Sequence, residues 1–119
     1  MIQNKLGNFG EDIALKYLTF SGYQLLERNF RSIYGEIDLI LKNKDTLVFV
    51  EVKTVTRDAG YEPIEQMTPR KLSHIKNTIN GYLSFRHIPP KQAYRLDFVG
   101  IIIDKNGIVH KIDHRISVG

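Results

Sequence analysis

The chain of 119 residues is long enough for one domain with its own core, and 42% hydrophobic against 25% charged residues is the balance of an ordinary globular protein. It has no cysteine, which excludes disulfides and thiolate metal sites; no run of membrane-span length and no signal-peptide pattern occur, so the cytoplasm is the expected compartment and no membrane contact is expected. Lys plus Arg number 17 against 13 Asp plus Glu, a net charge of +4, and if several of those acids gather in one cleft, the remaining surface is basic enough to suit a polyanion.

The first predicted element is a helix from about Asn4 to about Phe20. Leu6, Phe9, Ile13, Tyr17 and Phe20 recur at helical spacing, Ala14 and Leu18 widen the stripe, and Ser21-Gly22 supplies the stop. Gly7 and Gly10 weaken the first turns, which points either to close approach by another element or to fraying. Glu11 lies on the shoulder of the stripe, where it can face solvent or lean toward acids further along the chain. Tyr23 to Phe30 reads as a first strand, with Arg28 and Arg31 at its end, and Ser32-Ile33-Tyr34-Gly35 as a turn.

The next two segments organise the rest. Gly35-Glu36-Ile37-Asp38-Leu39-Ile40 and Leu47-Val48-Phe49-Val50-Glu51-Val52-Lys53 both read as strands, joined by the polar stretch Asn43-Lys44-Asp45. Residues two apart in a strand share a face, so Glu36 lies with Asp38, and Glu51 with Lys53. If the hairpin matches these faces, three carboxylates and one ammonium converge, and crowded acids of this kind are usually compensated by a divalent cation. Alternating Glu and Lys is also the pattern of a solvated sheet face or a defended edge. Two features favour a site: Leu47 and Phe49 precede Glu51 on its face, so that face turns charged only at its end, and the neighbouring strand brings its own pair of acids.

From Thr54 to Met67 the pattern breaks, and residues 54–67 read as a long connection beside the site, mobile or ordered by substrate. Thr68-Pro69 starts a helix that runs to about Phe85, with Leu72, Ile75, Ile79, Tyr82 and Leu83 on one stripe. Arg70, Lys71, His74 and Lys76 occupy its other faces, either as a solvated surface or as phosphate contacts near the helix start. After Pro89-Pro90, Ala93 to Ile103 is a nearly continuous apolar strand, Asp104-Lys105-Asn106-Gly107 a hairpin turn, and Ile108 to Ile116 a returning strand. Arg95 and Asp97 share a face, as a structural ion pair or a flank of the site. The four histidines form no ligand set: His110 and His114 share a strand face but lie about 13 Å apart. Neither a Ser-His-Asp arrangement nor a Gly-rich phosphate loop is present.

The order of a helix with Glu, a strand with Asp, a strand with Glu-x-Lys, then a helix and further strands resembles the PD-(D/E)XK nuclease superfamily. The spacing of Glu11, Asp38 and Glu51-Val52-Lys53 is similar to that of archaeal Holliday-junction resolvases. Gly10-Glu11, Tyr17-Leu18, Gly22-Tyr23, Asn29-Phe30-Arg31, Gly35-Glu36-Ile37-Asp38-Leu39-Ile40, Phe49-Val50-Glu51-Val52-Lys53 and Arg95-Leu96-Asp97-Phe98-Val99 resemble the largely uncharacterised bacterial YraN family over nearly the whole chain. The resemblance implies a single restriction-endonuclease-like α/β domain over residues 1–119, a central mixed sheet flanked by helices in the order α-β-β-β-α-β-β.

It implies, further, that Asp38 and Glu51 ligate Mg²⁺ or Mn²⁺, with the Val52 carbonyl as an additional ligand. Glu11 would complete the site, and Lys53 would orient the attacking water or stabilise charge on the scissile phosphate. Ile37 stands where the superfamily name has Pro, and Glu36 receives no role. Arg31, Arg57, Arg70, Lys71 and His74 are the expected nucleic-acid contacts. The expected function is metal-dependent phosphodiester hydrolysis in DNA, with branched or structured DNA as candidate substrate and a homodimer as candidate assembly. The alternatives are a non-catalytic nucleic-acid-binding module of the same fold, or an interaction protein whose acids and lysine form interface ion pairs.

Overall fold

The charged hairpin forms as β2 (Gly35–Asn43) and β3 (Thr46–Thr56), antiparallel around a tight turn in which Lys44 takes a φ of 55°. This computed structural model describes residues 2–119. β1 (Gln24–Ser32) pairs antiparallel with the outer side of β2. β4 (Tyr94–Ile103) runs parallel to β3, and β5 (Val109–Arg115) returns antiparallel along β4, giving a sheet ordered β1-β2-β3-β4-β5. A parallel neighbour demands a crossover, and α2 (Pro69–Phe85) supplies it across one face. α1 (Ile2–Phe20) covers the other face, so the element order is α-β-β-β-α-β-β, the restriction-endonuclease-like arrangement. Among the described residues no helix is long and apolar enough to cross a membrane.

Strand alternation divides the core between the two helices. Leu39, Leu41, Val48, Val50, Val99 and Ile101 pack with Ala14 and Leu18 of α1, while Phe30, Ile40, Leu47, Phe49 and Leu96 pack with Ile75, Ile79 and Tyr82 of α2. The Tyr82 ring stands edge-on to Phe30 and Phe49, at centroid distances of 5.0 and 5.4 Å. Each large side chain fully buried in this way stabilises the fold by about 1.5–3 kcal/mol. The start of α2 is fixed locally, because Thr68 Oγ1 accepts the Lys71 N–H at 3.2 Å and Pro69 occupies the first helical position.

The apolar line of α1 is displaced from the expected one. Phe9, Tyr17 and Phe20 are 40%, 37% and 94% exposed, whereas Ala14 and Leu18 are fully buried. The reason is a close crossing: a Cβ on Gly10 would stand 1.7 Å from Thr54 Oγ1, so only glycine lets the helix lie this near β3. Close approach therefore accounts for Gly10, while a Cβ on Gly7 would meet nothing within 4 Å.

The connection expected over residues 54–67 is shorter than its sequence pattern implies. Thr54 to Thr56 stay in β3 because β4 pairs with them out to Ile103, and the Arg57 N–H still donates to the Ile103 carbonyl at 2.7 Å. Pro63–Gln66 forms a 3-10 turn closed by a capping box between Glu62 and Glu65. Its Pro63 is buried against β4 at Gly100, where a Cβ would come within 2.8 Å of it.

Arg95 and Asp97 form a structural pair. Asp97 is fully buried, and its carboxylate accepts from Arg95 Nε at 3.0 Å and the Ser117 N–H at 3.0 Å, and lies 2.8 Å from His114 Nε2. Burial opposes its charge, but His114, Arg95 and Ser117 outweigh that and hold the carboxyl below its ordinary range.

Candidate active site

β2 and β3 stop pairing in the middle of the molecule. Their last matched residues are Leu39 and Val50, and the next step along the same register sets Asp38 against Glu51. The Val52 N–H, which would otherwise lack a partner on that edge, donates to Asp38 Oδ2 at 2.7 Å. Beyond this point the tip of the β1–β2 hairpin leans onto α2, where Gly35, at φ 142°, leaves room for the Thr78 hydroxyl, and a Cβ would come within 3.0 Å of it. The divergence opens a cleft of about 600 Å³. Because the sheet is parted there, residues from both of its faces reach one space: Gly7 and Glu11 from α1, and Lys71, His74 and Thr78 from α2.

The site is dense in buried acid. Glu11, Asp38 and Glu51 are each only 8% exposed. Burial first, and the charge of Glu51 second, push the Asp38 carboxyl up to about 9. Burial likewise raises Glu11, against the pull of Arg28 and Asn29. Lys71 Nζ lies 2.8 Å from Glu51 Oε2 and supplies the nearest positive charge to the pair. Arg28 holds Glu11 through Nε at 3.3 Å and reaches Asp12 through a second nitrogen at 2.8 Å.

These donors fit a hard cation of the Mg²⁺ type. Two facing carboxylates, one of them pushed toward its neutral form by burial and then by the charge of the other, are a pair whose ionised state a divalent ion would favour. In an extended strand a residue's N–H and C=O point to the same edge, so the Val52 carbonyl shares the opened edge with the N–H that Asp38 takes. Among the described residues no group of three or more acidic or histidine side chains is gathered closely enough to hold a metal by itself. Mg²⁺ is commonly bound by one or two carboxylates together with water and substrate phosphate, and two carboxylates with an open cleft meet that pattern.

The residues expected to carry chemistry are distributed as follows. Glu11, Asp38, Glu51, Val52 and Lys53 all line the cleft, as does Glu36, which pairs with Arg31 at 3.2 Å. Lys53 is half-buried, and among the described residues it has no carboxylate within ion-pair distance. Of the expected nucleic-acid contacts, Arg31, Lys71 and His74 line the cleft, although Lys71 is engaged by Glu51. Arg70 is exposed on the first turn of α2 and does not line it. Arg57 stands past the end of β3, about 13 Å along the strand from Lys53, and faces other grooves with Tyr61 and Lys111. Sequence reasoning gave no role to Tyr34 or Thr78, which also line the cleft, nor to the grip of Arg28 on Glu11. Thr78 falls on α2 one turn after His74, and that spacing was the available signal.

Comparison with known proteins places the chain among bacterial relatives. The model of the family described as "Uncharacterised protein family UPF0102" matches residues 10–101, a span that holds every acid of the cleft and Lys53. A UPF0102 protein of Caldicellulosiruptor bescii is 39% identical over 92% of each chain. One from Syntrophomonas wolfei is 38% identical over 98% of each, and one from Clostridium botulinum is 42% identical over 83% of this chain and 80% of its own.

Proposed function

The chain belongs to the uncharacterised protein family UPF0102, and we propose that it is a metal-dependent nuclease-like protein that hydrolyses phosphodiester bonds in DNA. The observation that carries this reading is the apposition of Asp38 and Glu51 at the point where the β2–β3 ladder parts, with Lys53 two residues further along β3. Asp38, Glu51 and the Val52 carbonyl would hold Mg²⁺ or Mn²⁺. Such an ion polarises a phosphoryl oxygen and lowers the pKa of bound water.

The chain's own groups divide the remaining work. Lys53, free of a carboxylate partner among the described residues, faces the cleft with a charge to set against a phosphate oxygen. His74, exposed on the cleft wall, and Arg31, on the hairpin tip, flank the same space. Glu11, fixed by Arg28, adds negative charge behind Asp38 and strengthens the pair's demand for a cation. Burial of the acids keeps their field from being screened by solvent, so the same charges act more strongly here than on an open surface.

One observation favours a second reading. Lys71 already neutralises Glu51 at 2.8 Å, an arrangement that also serves a module which binds nucleic acid without cutting it. The two readings separate in a cleavage assay on labelled single-stranded, duplex, flap and four-way-junction DNA with Mg²⁺ or Mn²⁺. The nuclease reading expects cleavage by the wild type and a loss of about a hundredfold or more in Glu51→Ala and Lys53→Ala. Binding without cleavage of any member would support the non-catalytic module instead.

A further inference from the structure

Tyr34 lines both the cleft and a second groove of about 560 Å³, which Asn77, Asn80, Gly81, Ser84 and Phe85 complete. The two spaces differ in chemistry. Arg31, Lys53, Lys71 and His74 line the cleft together with its four acids, whereas the groove is lined by two aromatic rings, two amides and a hydroxyl, with no charged side chain. Both follow the same side of α2, since His74, Asn77, Gly81 and Ser84 succeed one another at helical spacing. From His74 to Gly81 is about 10 Å along the helix axis.

Tyr34 is held in place at the junction of the two. Its N–H donates to Ser32 Oγ at 3.1 Å, fixing the hairpin tip. The Cδ2–Cε2 edge of its ring packs on α2 at Gly81, where a Cβ would stand 3.4 Å from Cδ2. The residue is nonetheless 57% exposed. Phe85 is 65% exposed, and the Arg86 guanidinium covers one face of it 4.8 Å from the ring centroid. A ring braced along one edge and otherwise open is a stacking surface that loses little freedom when a flat partner arrives. Hydrogen-bonding amides beside such rings suit the edge of a nucleobase.

We propose that Tyr34 and Phe85 form a base-stacking platform, and that the protein takes a nucleic-acid strand whose phosphate lies in the charged cleft while an unstacked base lies on Tyr34. The platform makes an unpaired segment beside the cleaved position the preferred substrate, because bases within an intact duplex present no free face. This inference rests on the nuclease-like reading of the cleft. It goes beyond that reading in naming the state of the strand that binds.

The test is fluorescence anisotropy of labelled oligonucleotides with Ca²⁺ in place of Mg²⁺, comparing a single strand, the matching duplex, and single strands carrying one abasic position. The wild type is expected to prefer the single strand and to lose about tenfold affinity when the abasic position falls on the platform. Tyr34→Ala should lose about tenfold for the intact single strand, become indifferent to the abasic position, and bind duplex as before. Tyr34→Phe should behave as wild type, and Phe85→Ala, at a separate exposed position, gives an independent loss. If Lys53→Ala weakens binding but Tyr34→Ala, folded by circular dichroism, binds every probe as wild type does, the platform is overturned and the cleft reading stands. If no oligonucleotide binds the wild type even at low salt, both are overturned.

Discussion

Asp38 stands opposite Glu51 one step beyond the last pair of the β2–β3 ladder, and it takes the Val52 N–H at 2.7 Å through its side chain. A sheet that parts at two carboxylates gives up backbone pairing at its centre and buries like charges together. The metal-free molecule therefore bears an electrostatic cost at this place, and that cost can be measured.

The sign of the effect follows from Asp38. Its carboxyl is raised above the unfolded value of about 4, so the folded chain holds a proton that the unfolded chain releases. Metal-free stability should fall as pH rises from about 4 toward the raised value near 9. Asp38→Asn keeps an oxygen for the Val52 N–H and removes the titration. It should therefore flatten this slope and raise stability at pH 8 by about 1–3 kcal/mol, read from urea unfolding across pH in EDTA.

Asp97 predicts the opposite dependence. Its carboxyl lies below the ordinary range, so the stability it contributes is complete above about 4 and is lost as pH falls through its depressed folded value. Asp97→Ala leaves Arg95 and the Ser117 N–H without their acceptor and should cost about 3–5 kcal/mol. Asp97 does not line the cleft, so whatever protein remains folded should keep its metal affinity, measured by calorimetry.

The two helix glycines should part company. Gly10→Ala forces a methyl against Thr54 Oγ1 and pushes α1, with the adjacent Glu11, away from the sheet. A loss of about 1–3 kcal/mol is expected. Gly7→Ala meets open space and improves helix propensity, so it should gain up to about 1 kcal/mol. Thermal unfolding of the two variants side by side checks the close crossing.

Lys71 should act in two directions. It is the resident cation on Glu51, so Lys71→Met should tighten Mn²⁺ binding, by about tenfold for each 1.4 kcal/mol of repulsion relieved. The same change should weaken DNA binding and flatten its dependence on salt by about one phosphate contact. A mere surface lysine would move neither.

What was legible in the sequence was whatever depends on local pattern. The hairpin could be read from two apolar runs around Asn43-Lys44-Asp45, α2 from Thr68-Pro69, and the element order from the run ending at Ile103. Glu11 was harder to place. Phe9, Tyr17 and Phe20 drew the apparent stripe toward themselves although they stay exposed, while the line that packs is marked by the smaller Gly10 and Ala14. The extension of β3 through Thr54–Thr56 was hidden because the β4 residues that pair with it, Ile101 to Ile103, lie 47 residues further along the chain. The same holds for Lys71 and Glu51, which meet only because the crossover sets α2 over the parted strands.

The most direct test of the central claim is a calorimetric Mn²⁺ titration of the wild type, Asp38→Asn and Glu51→Gln, run in buffers of differing ionisation heat. Saturable binding by the wild type, with proton release at neutral pH and loss of binding in both variants, is the predicted result. Equal binding by all three, or none by the wild type even with DNA present, would contradict the assignment of the parted strands as a cation site.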